Sequence, residues 1–337
     1  MSSKKETALV ISGGGSKGAF AAGVIKYLYN QYRKTGWFSI IGGSSVGALI
    51  SPFAALMGAH RKIGDEALST MIETFTSITT DDVLEKRHFI KRIRRSGYLN
   101  ESDPMEELIE SRLKPEWYEW LESKKAPYCY VVYTNFRTGE KSIASPQDPE
   151  IGRSDFIKAM RASASVPIYM EATNVNGELC YDGGLRDPLP TEEAIEKGAE
   201  VLVPILLTLP EFREKTGDFD SLKKVLTRSL GILIDECKYN DMQYAELICS
   251  ANLLKREIEK EVSGDDEVLK KLRGVFEKEK YENLFGGNKN LLKIVRGLHP
   301  DSNLSGDILS FEPEKMKKWL KKGEKKAGET VDRTPFN

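Results

Sequence analysis

The chain's pattern predicts an α/β fold built on a largely parallel sheet. Two observations carry that expectation: short apolar runs alternate with amphipathic stretches through the first half, and two of those runs lead into glycine-rich turns that open helices. Thr7 to Ser12 reads as a buried strand, and Ala19 to Arg33 as a helix with apolar residues at helical spacing. Phe38 to Ile41 is a second buried strand, followed by an Ala-, Leu- and Met-rich helix over Ser45 to Ala59. Tyr128 to Thr134 and Lys141 to Ala144 read as strands turned by Arg137-Thr138-Gly139. Ser154 to Ala164 is a helix that Pro167 stops from continuing. Val175 to Tyr181 and Val201 to Thr208 are further strands. The character changes at Asp218: Ser221 to Val262 is a long helical region, expected to break at Gly231 and elsewhere. Leu291 to Arg296 returns to strand, and Glu312 to Ala327 is a final helix starting near Pro313. That return favours a single domain over 1–337: a core over 7–209, a helical excursion over 210–290, and a closing strand and helix over 291–328.

Composition narrows the function classes. The 337 residues are 40% hydrophobic and 30% charged, which excludes a disordered chain and allows a sizeable core. Fifty Lys and Arg against fifty-one Asp and Glu give a net charge of -1, without the basic surplus of a nucleic-acid binder. Cys129, Cys180, Cys237 and Cys249 form no Cys-x-x-Cys pair or metal-ligand spacing and read as reduced core thiols. The apolar run Ala8-Leu9-Val10-Ile11 is shorter than the roughly 7–15 residues a signal peptide needs, and no stretch fits a membrane span. A soluble, cytoplasmic protein is expected.

Gly43-Ser44-Ser45-Val46-Gly47 lies between a strand and a helix, the context a nucleophile elbow requires. A sharp strand-to-helix turn crowds the backbone, and small residues two positions either side let it form. The hydroxyl of Ser45 then projects at the sheet's edge, with a helix N-terminus behind it to favour developing negative charge. The competing reading is a Gly/Ser-rich loop. Gly13-Gly14-Gly15-Ser16-Lys17-Gly18 also joins a strand to a helix and fits Gly-x-Gly-x-x-Gly. A dinucleotide site would need an acidic residue about 20 positions further on, and residues 31 to 41 contain none. The Walker pattern fails because neither Ser nor Thr follows Lys17. An oxyanion hole, in which consecutive glycines let backbone N–H groups converge on one oxygen, accounts for both motifs together.

A serine needs a base, and the three histidines, His60, His88 and His299, have no distinctive catalytic setting. Tyr181-Asp182-Gly183-Gly184 offers a carboxylate at a strand end, although Asp-Gly is also an ordinary hairpin turn.

Taken in order, Gly13–Gly18, Gly43–Gly47 and Asp182-Gly183-Gly184 resemble the motifs of the patatin-like phospholipase family. Ala162-Ser163-Ala164-Ser165-Val166-Pro167 is similar to the family's segment before the Asp strand, and Ser310-Phe311-Glu312-Pro313 with the helix containing Gly323 is similar to its closing strand and helix. The likeness covers most of residues 7 to 328, least clearly over 210–290. It implies a three-layer α/β/α fold and a Ser-Asp dyad, with Ser45 as nucleophile, Asp182 as base, and the N–H groups of Gly13, Gly14 and Gly15 as the oxyanion hole. Lys17 matches the family's basic position in that loop, and Asp187-Pro188 departs from the Asp-Asn often found there. No cofactor or metal is implied. An unperturbed Asp, with a pKa of about 3.9, is a weak base for a hydroxyl. Such a dyad therefore leans on its oxyanion hole, where one donor is worth roughly 2.7–4 kcal/mol.

The expected activity is hydrolysis of fatty-acyl esters of phospholipids, lysophospholipids or related lipids. The alternatives are a thioesterase or acyltransferase using the same two residues, or a non-catalytic lipid-binding regulator. The expected partners are a lipid or ester substrate and a transiently contacted membrane surface, without nucleic acid; oligomeric state is left open. Three segments have a membrane reading beside a plainer one. The basic run Lys86 to Arg95 reads first as a solvated face, Met316, Trp319 and Leu320 as core packing with lysines outward, and Trp117-Tyr118-x-Trp120 as either cap or core.

Overall fold

The computed structural model describes residues 5–83, 85–86, 100–101, 103–209, 220–304 and 309–331. Its strands are β1 (Thr7–Ile11), β2 (Ile40–Ser44), β3 (Glu85–Lys86), β4 (Asn100–Glu101), β5 (Tyr128–Asn135), β6 (Lys141–Ala144), β7 (Thr173–Val175), β8 (Glu178–Asp182), β9 (Val201–Ile205) and β10 (Lys293–Ile294). The main sheet runs β10-β9-β1-β2-β5-β8-β7, with β6 also paired to β5. From β10 to β5 every pairing is parallel, and the β6, β7 and β8 pairings are antiparallel.

Alternate residues of the central strands enter two separate apolar clusters. Leu9, Ile11, Ile41 and Val131 lie on one face, and Ala8, Val10, Ile40 and Val132 on the other. Both faces are therefore covered, which gives the three layers. The first face carries α1 (Gly18–Tyr32), α2 (Val46–Leu56), α3 (Arg61–Ser77), α4 (Thr80–Val83), α5 (Asp103–Arg112), α6 (Pro115–Glu122) and α7 (Arg153–Ala164). The second carries α8 (Thr191–Glu196) and the middle of α9 (Leu222–Glu261), through Ala245 and Ile248. After α10 (Asp266–Phe276) and α11 (Glu282–Phe285), β10 rejoins the sheet beside β9, and α12 (Pro313–Val331) closes over α1. Pro204 sits in β9 beyond the two rungs of β10, where its missing N–H leaves the ladder intact.

Several expectations change in detail. The helical region of 221–262 is one helix, unbroken at Gly231, where an added Cβ would meet nothing within 4 Å. A lone helical glycine lowers stability by about 1 kcal/mol against Ala but does not stop a helix whose neighbours are strong formers. The single strand expected over Val175 to Tyr181 is a hairpin, β7–β8, because Asn176 and Gly177 both take positive φ and turn the chain. Trp117, Tyr118, Met316, Trp319 and Leu320 are all buried, which settles both segments as core. Cys129 and Cys180 are buried and Cys237 and Cys249 half-buried, all four free. Side chains of the Lys86 to Arg95 run, His88 included, lie outside the described residues.

Candidate active site

The sheet register brings Ser45 and Asp182 together. β2 pairs with β5 up to Ser44 opposite Val132, and β8 pairs with the next residue of β5, Tyr133, through Asp182. Residues 137 positions apart thus meet at the end of one strand pair, where Ser45 Oγ donates to Asp182 Oδ2 at 2.7 Å. Ser45 stands between β2 and α2 at φ 56 and ψ -128, a strained conformation for a residue with a side chain. The glycines flanking it are demanded by close approach: a Cβ on Gly47 would lie 2.2 Å from the Ile11 carbonyl oxygen, and one on Gly43 would lie 2.4 Å from Gly47.

Asp182 is 4% exposed and fixed from four sides. Its Oδ1 accepts the Gly184 N–H at 2.7 Å, its carbonyl accepts from Thr134 Oγ1 at 2.9 Å, and its own N–H donates to the Ser165 carbonyl at 3.0 Å. The Ser45 hydroxyl holds the fourth side. Burial pushes its carboxyl up to about 7, against the smaller opposing effects of the bonds from Ser45 and Gly184. A carboxylate titrating there is a far better proton acceptor at neutral pH than one of ordinary acidity.

The glycine loop lies directly against the serine, for a Cβ on Gly13 would sit 3.0 Å from Ser45 Cβ. The Gly13 N–H, however, donates to the Pro188 carbonyl at 3.1 Å, so this expected oxyanion donor is occupied. Among the described residues, the N–H groups of Gly14 and Gly15 have no acceptor. The loop after Asp182 that supplies the Pro188 carbonyl is held by Lys141, which pairs with buried Asp187 at 3.3 Å and with Glu192. The Asp241 carboxylate of α9 accepts the Leu189 N–H at 3.0 Å.

Two cavities meet at Ser45. One is a narrow slot of about 70 Å³ between the first-face helices, apolar throughout most of its wall, including Leu49, Phe53, Phe75, Ile109 and Met160. The other is wider, about 410 Å³, and holds both Ser45 and Asp182 beneath α9, which contributes Thr227, Leu230, Ile234 and Lys238 to its wall. Lys17 lines this second cavity. Lys238 is buried, pairs with Asp235 at 2.8 Å and donates to Thr208. Neither His60, exposed just before α3, nor His299, whose Nδ1 meets the Pro300 carbonyl, lines either cavity.

The residues that sequence reasoning missed are those holding the pair in place. Ser163 accepts the Ser45 N–H, and Thr134 and the Ser165 carbonyl secure Asp182. The only signal was the segment Ala162 to Pro167, visible by resemblance without assigned roles.

The patatin-like phospholipase family profile matches residues 9–195, more than half of the chain. The uncharacterized protein YjjU of Escherichia coli K12 is 26% identical over 251 residues, 71% of this chain and 63% of its own length. Protein L620 of Acanthamoeba polyphaga mimivirus is 46% identical over 50 residues, 14% of this chain and 13% of its own. The chain thus spans less than two thirds of the length of either relative. Among solved structures, VipD from Legionella pneumophila aligns over 98% of this chain and 67% of its own, at 15% identity and a TM-score of 0.43. With its family profile spanning the strand of Leu9 through the helix of Ile195, and so both Ser45 and Asp182, the chain belongs to the patatin-like phospholipases, a family of lipid acyl hydrolases.

Proposed function

We propose that this protein is a serine hydrolase that cleaves fatty-acyl ester bonds of phospholipids or lysophospholipids through Ser45 and Asp182. The observation that carries the reading is the 2.7 Å hydrogen bond from a strained Ser45 to a buried Asp182 whose carboxyl titrates near neutrality. Ser45 Oγ attacks the ester carbonyl while Asp182 takes its proton. The N–H groups of Gly14 and Gly15, with the N-terminus of α2 behind them, receive the charge on the carbonyl oxygen. Collapse of the tetrahedral species breaks the ester bond, and the leaving alcohol takes the proton from Asp182. A water molecule then attacks the acyl-serine, again giving its proton to Asp182, and the fatty acid leaves as the proton returns to Ser45. The apolar slot suits the acyl chain and the wider, more polar cavity suits the alcohol portion.

The test is labelling by a fluorophosphonate probe together with hydrolysis of a short p-nitrophenyl ester. Wild type is expected to label and hydrolyse, Ser45→Ala to do neither, and Asp182→Asn to lose about 10²-fold or more in kcat. A fully active Ser45→Ala protein, or a folded wild type inert to both reagents, would overturn the reading. Adding a long-chain alcohol separates hydrolysis from acyl transfer, since a transferase would make the new ester in place of free acid.

A further inference from the structure

We infer that the first four turns of α9 form a docking surface for an anionic phospholipid bilayer, set directly over the cavity that holds Ser45 and Asp182. The helix carries two opposite faces in this stretch. Thr227, Leu230, Gly231, Ile234, Asp235 and Lys238, spaced three or four residues apart, line the cavity. On the reverse face Leu222, Val225, Leu226, Ile232 and Leu233 stand in solvent, with Leu222 74% and Leu233 63% exposed. An aliphatic stripe of this kind on the outside of a helix is unusual when the helix rests on a core, and it asks for an apolar partner.

Charge selects the occupant. Residues 222–234 contain Lys223, Lys224 and Arg228 and no carboxylate, within a chain whose net charge is only -1. Lys224 pairs with Asp220 at 2.7 Å, just outside the stretch, and Glu236 ends the stripe on its far side. Up to Ile234 the charged residues of this aliphatic stretch are all cations, and the next, Asp235, lines the cavity, which matches the headgroup and acyl boundary of an anionic bilayer. Continuity with the cavity points the same way, because a lipid substrate has to leave a membrane at the place where the cavity wall meets it.

Packing lets the segment serve as such a surface. Among its described residues none before Lys238 is buried; Lys238 is the first, tied to Thr208 and Asp235. Across the cavity the segment is held by a hydrogen bond between Thr227 and Tyr169, which follows Ile168 at φ 75. The meaning of this placement rests on the hydrolase reading, whereas the binding itself does not.

The experiment is co-sedimentation of the full chain with vesicles of non-hydrolysable ether lipids, phosphatidylcholine alone or with one part in three of phosphatidylglycerol. Wild type is expected to bind the phosphatidylglycerol vesicles, and at least about tenfold more weakly without the anionic lipid. Leu226→Glu/Leu233→Glu is expected to lose binding by a similar factor, with the wild-type melting temperature and undiminished hydrolysis of the soluble ester. Equal binding by wild type and the double variant overturns the inference. So does a wild type that ignores both vesicles, or one that is a dimer which the double variant dissociates. Vesicle binding by a protein inert to the soluble ester would leave the docking surface standing and remove the hydrolase reading instead.

Discussion

Ser163 Oγ accepts the backbone N–H of Ser45 at 2.9 Å and donates to the Val132 carbonyl, fastening the strained turn to the neighbouring strand. The bond is buried, so neither end has water as an alternative. Ser163→Ala should leave two buried backbone groups unpaired, costing about 1–3 kcal/mol in stability. Loosening of the Ser45 turn should lower kcat about tenfold or more with little change in KM, because a misplaced nucleophile loses near-attack geometry rather than affinity. Chemical denaturation and steady-state kinetics on the soluble ester check both.

With Asp182 as the proposed base, its carboxyl, pushed up to about 7 by burial, should set the acid side of the activity profile. The ionised form accepts the serine proton, so kcat/KM should fall about tenfold per pH unit below about 7 and level off above it. An ordinary Asp would place that limb near pH 4. A pH–rate profile that stays flat down to pH 5 would remove Asp182 from the base role.

The same burial carries a stability cost of definite sign. The unfolded carboxyl titrates near 3.8 and the folded one near 7, so between those values the native state binds the extra proton. The stabilisation present below pH 4 is lost as pH rises through 7, at about 1.36 kcal/mol for each pH unit that separates the two values. Asp182→Asn should therefore melt higher than wild type at pH 8, with the gap shrinking steadily toward pH 4. Thermal melts across that range test it.

Leu49, half-buried on α2, faces the apolar slot at Ser45. Leu49→Trp narrows that slot while leaving the wider cavity open. Relative to wild type, kcat/KM for a dodecanoyl ester should drop about tenfold against that for a butyryl ester, since lost apolar contact is worth about 0.8 kcal/mol per methylene. Chain-length series with p-nitrophenyl esters measure it directly.

Gly231 is the residue at which a helix break was expected, and α9 runs through it. With open space around its Cβ position, Gly231→Ala should stabilise the protein by about 0.5–1 kcal/mol through reduced freedom of the unfolded chain. Urea unfolding would register the gain as a raised midpoint.

The parts of this molecule legible in the sequence are those whose causes are local. Ser45 was visible because a strand-to-helix turn needs glycines at fixed offsets, and the sheet because buried strands read as apolar runs. The β7–β8 hairpin had a local signal too, the turn-forming pair Asn176-Gly177, which the expectation of a single strand passes over. Gly13 was assigned as a donor on position, but whether its N–H is open depends on the Pro188 carbonyl, 175 residues away in the chain. Ser163 and Thr134 act through contacts that only the β5 register creates. Helices α3 and α5 are not read from the sequence because they carry no chemistry-bearing motif, and of α6 only the aromatic residues Trp117, Tyr118 and Trp120 stand out.

The closure of α12 on α1 has a consequence for biosynthesis. The two helices approach so closely that a Cβ on Gly23 would fall 1.9 Å from the Leu320 carbonyl oxygen, and one on Gly323 2.0 Å from that of Phe20. Their first residues, Gly18 and Pro313, are separated by most of the chain. At a synthesis rate of about 5–20 residues per second, α1 waits roughly 15–60 s for the helix that covers it. Throughout that interval the face of α1 destined for α12 has no partner on the ribosome. A chain cut short before residue 313 would leave that face of α1 uncovered, with Phe20, Gly23 and Val24 facing water where Leu320 and Gly323 now pack.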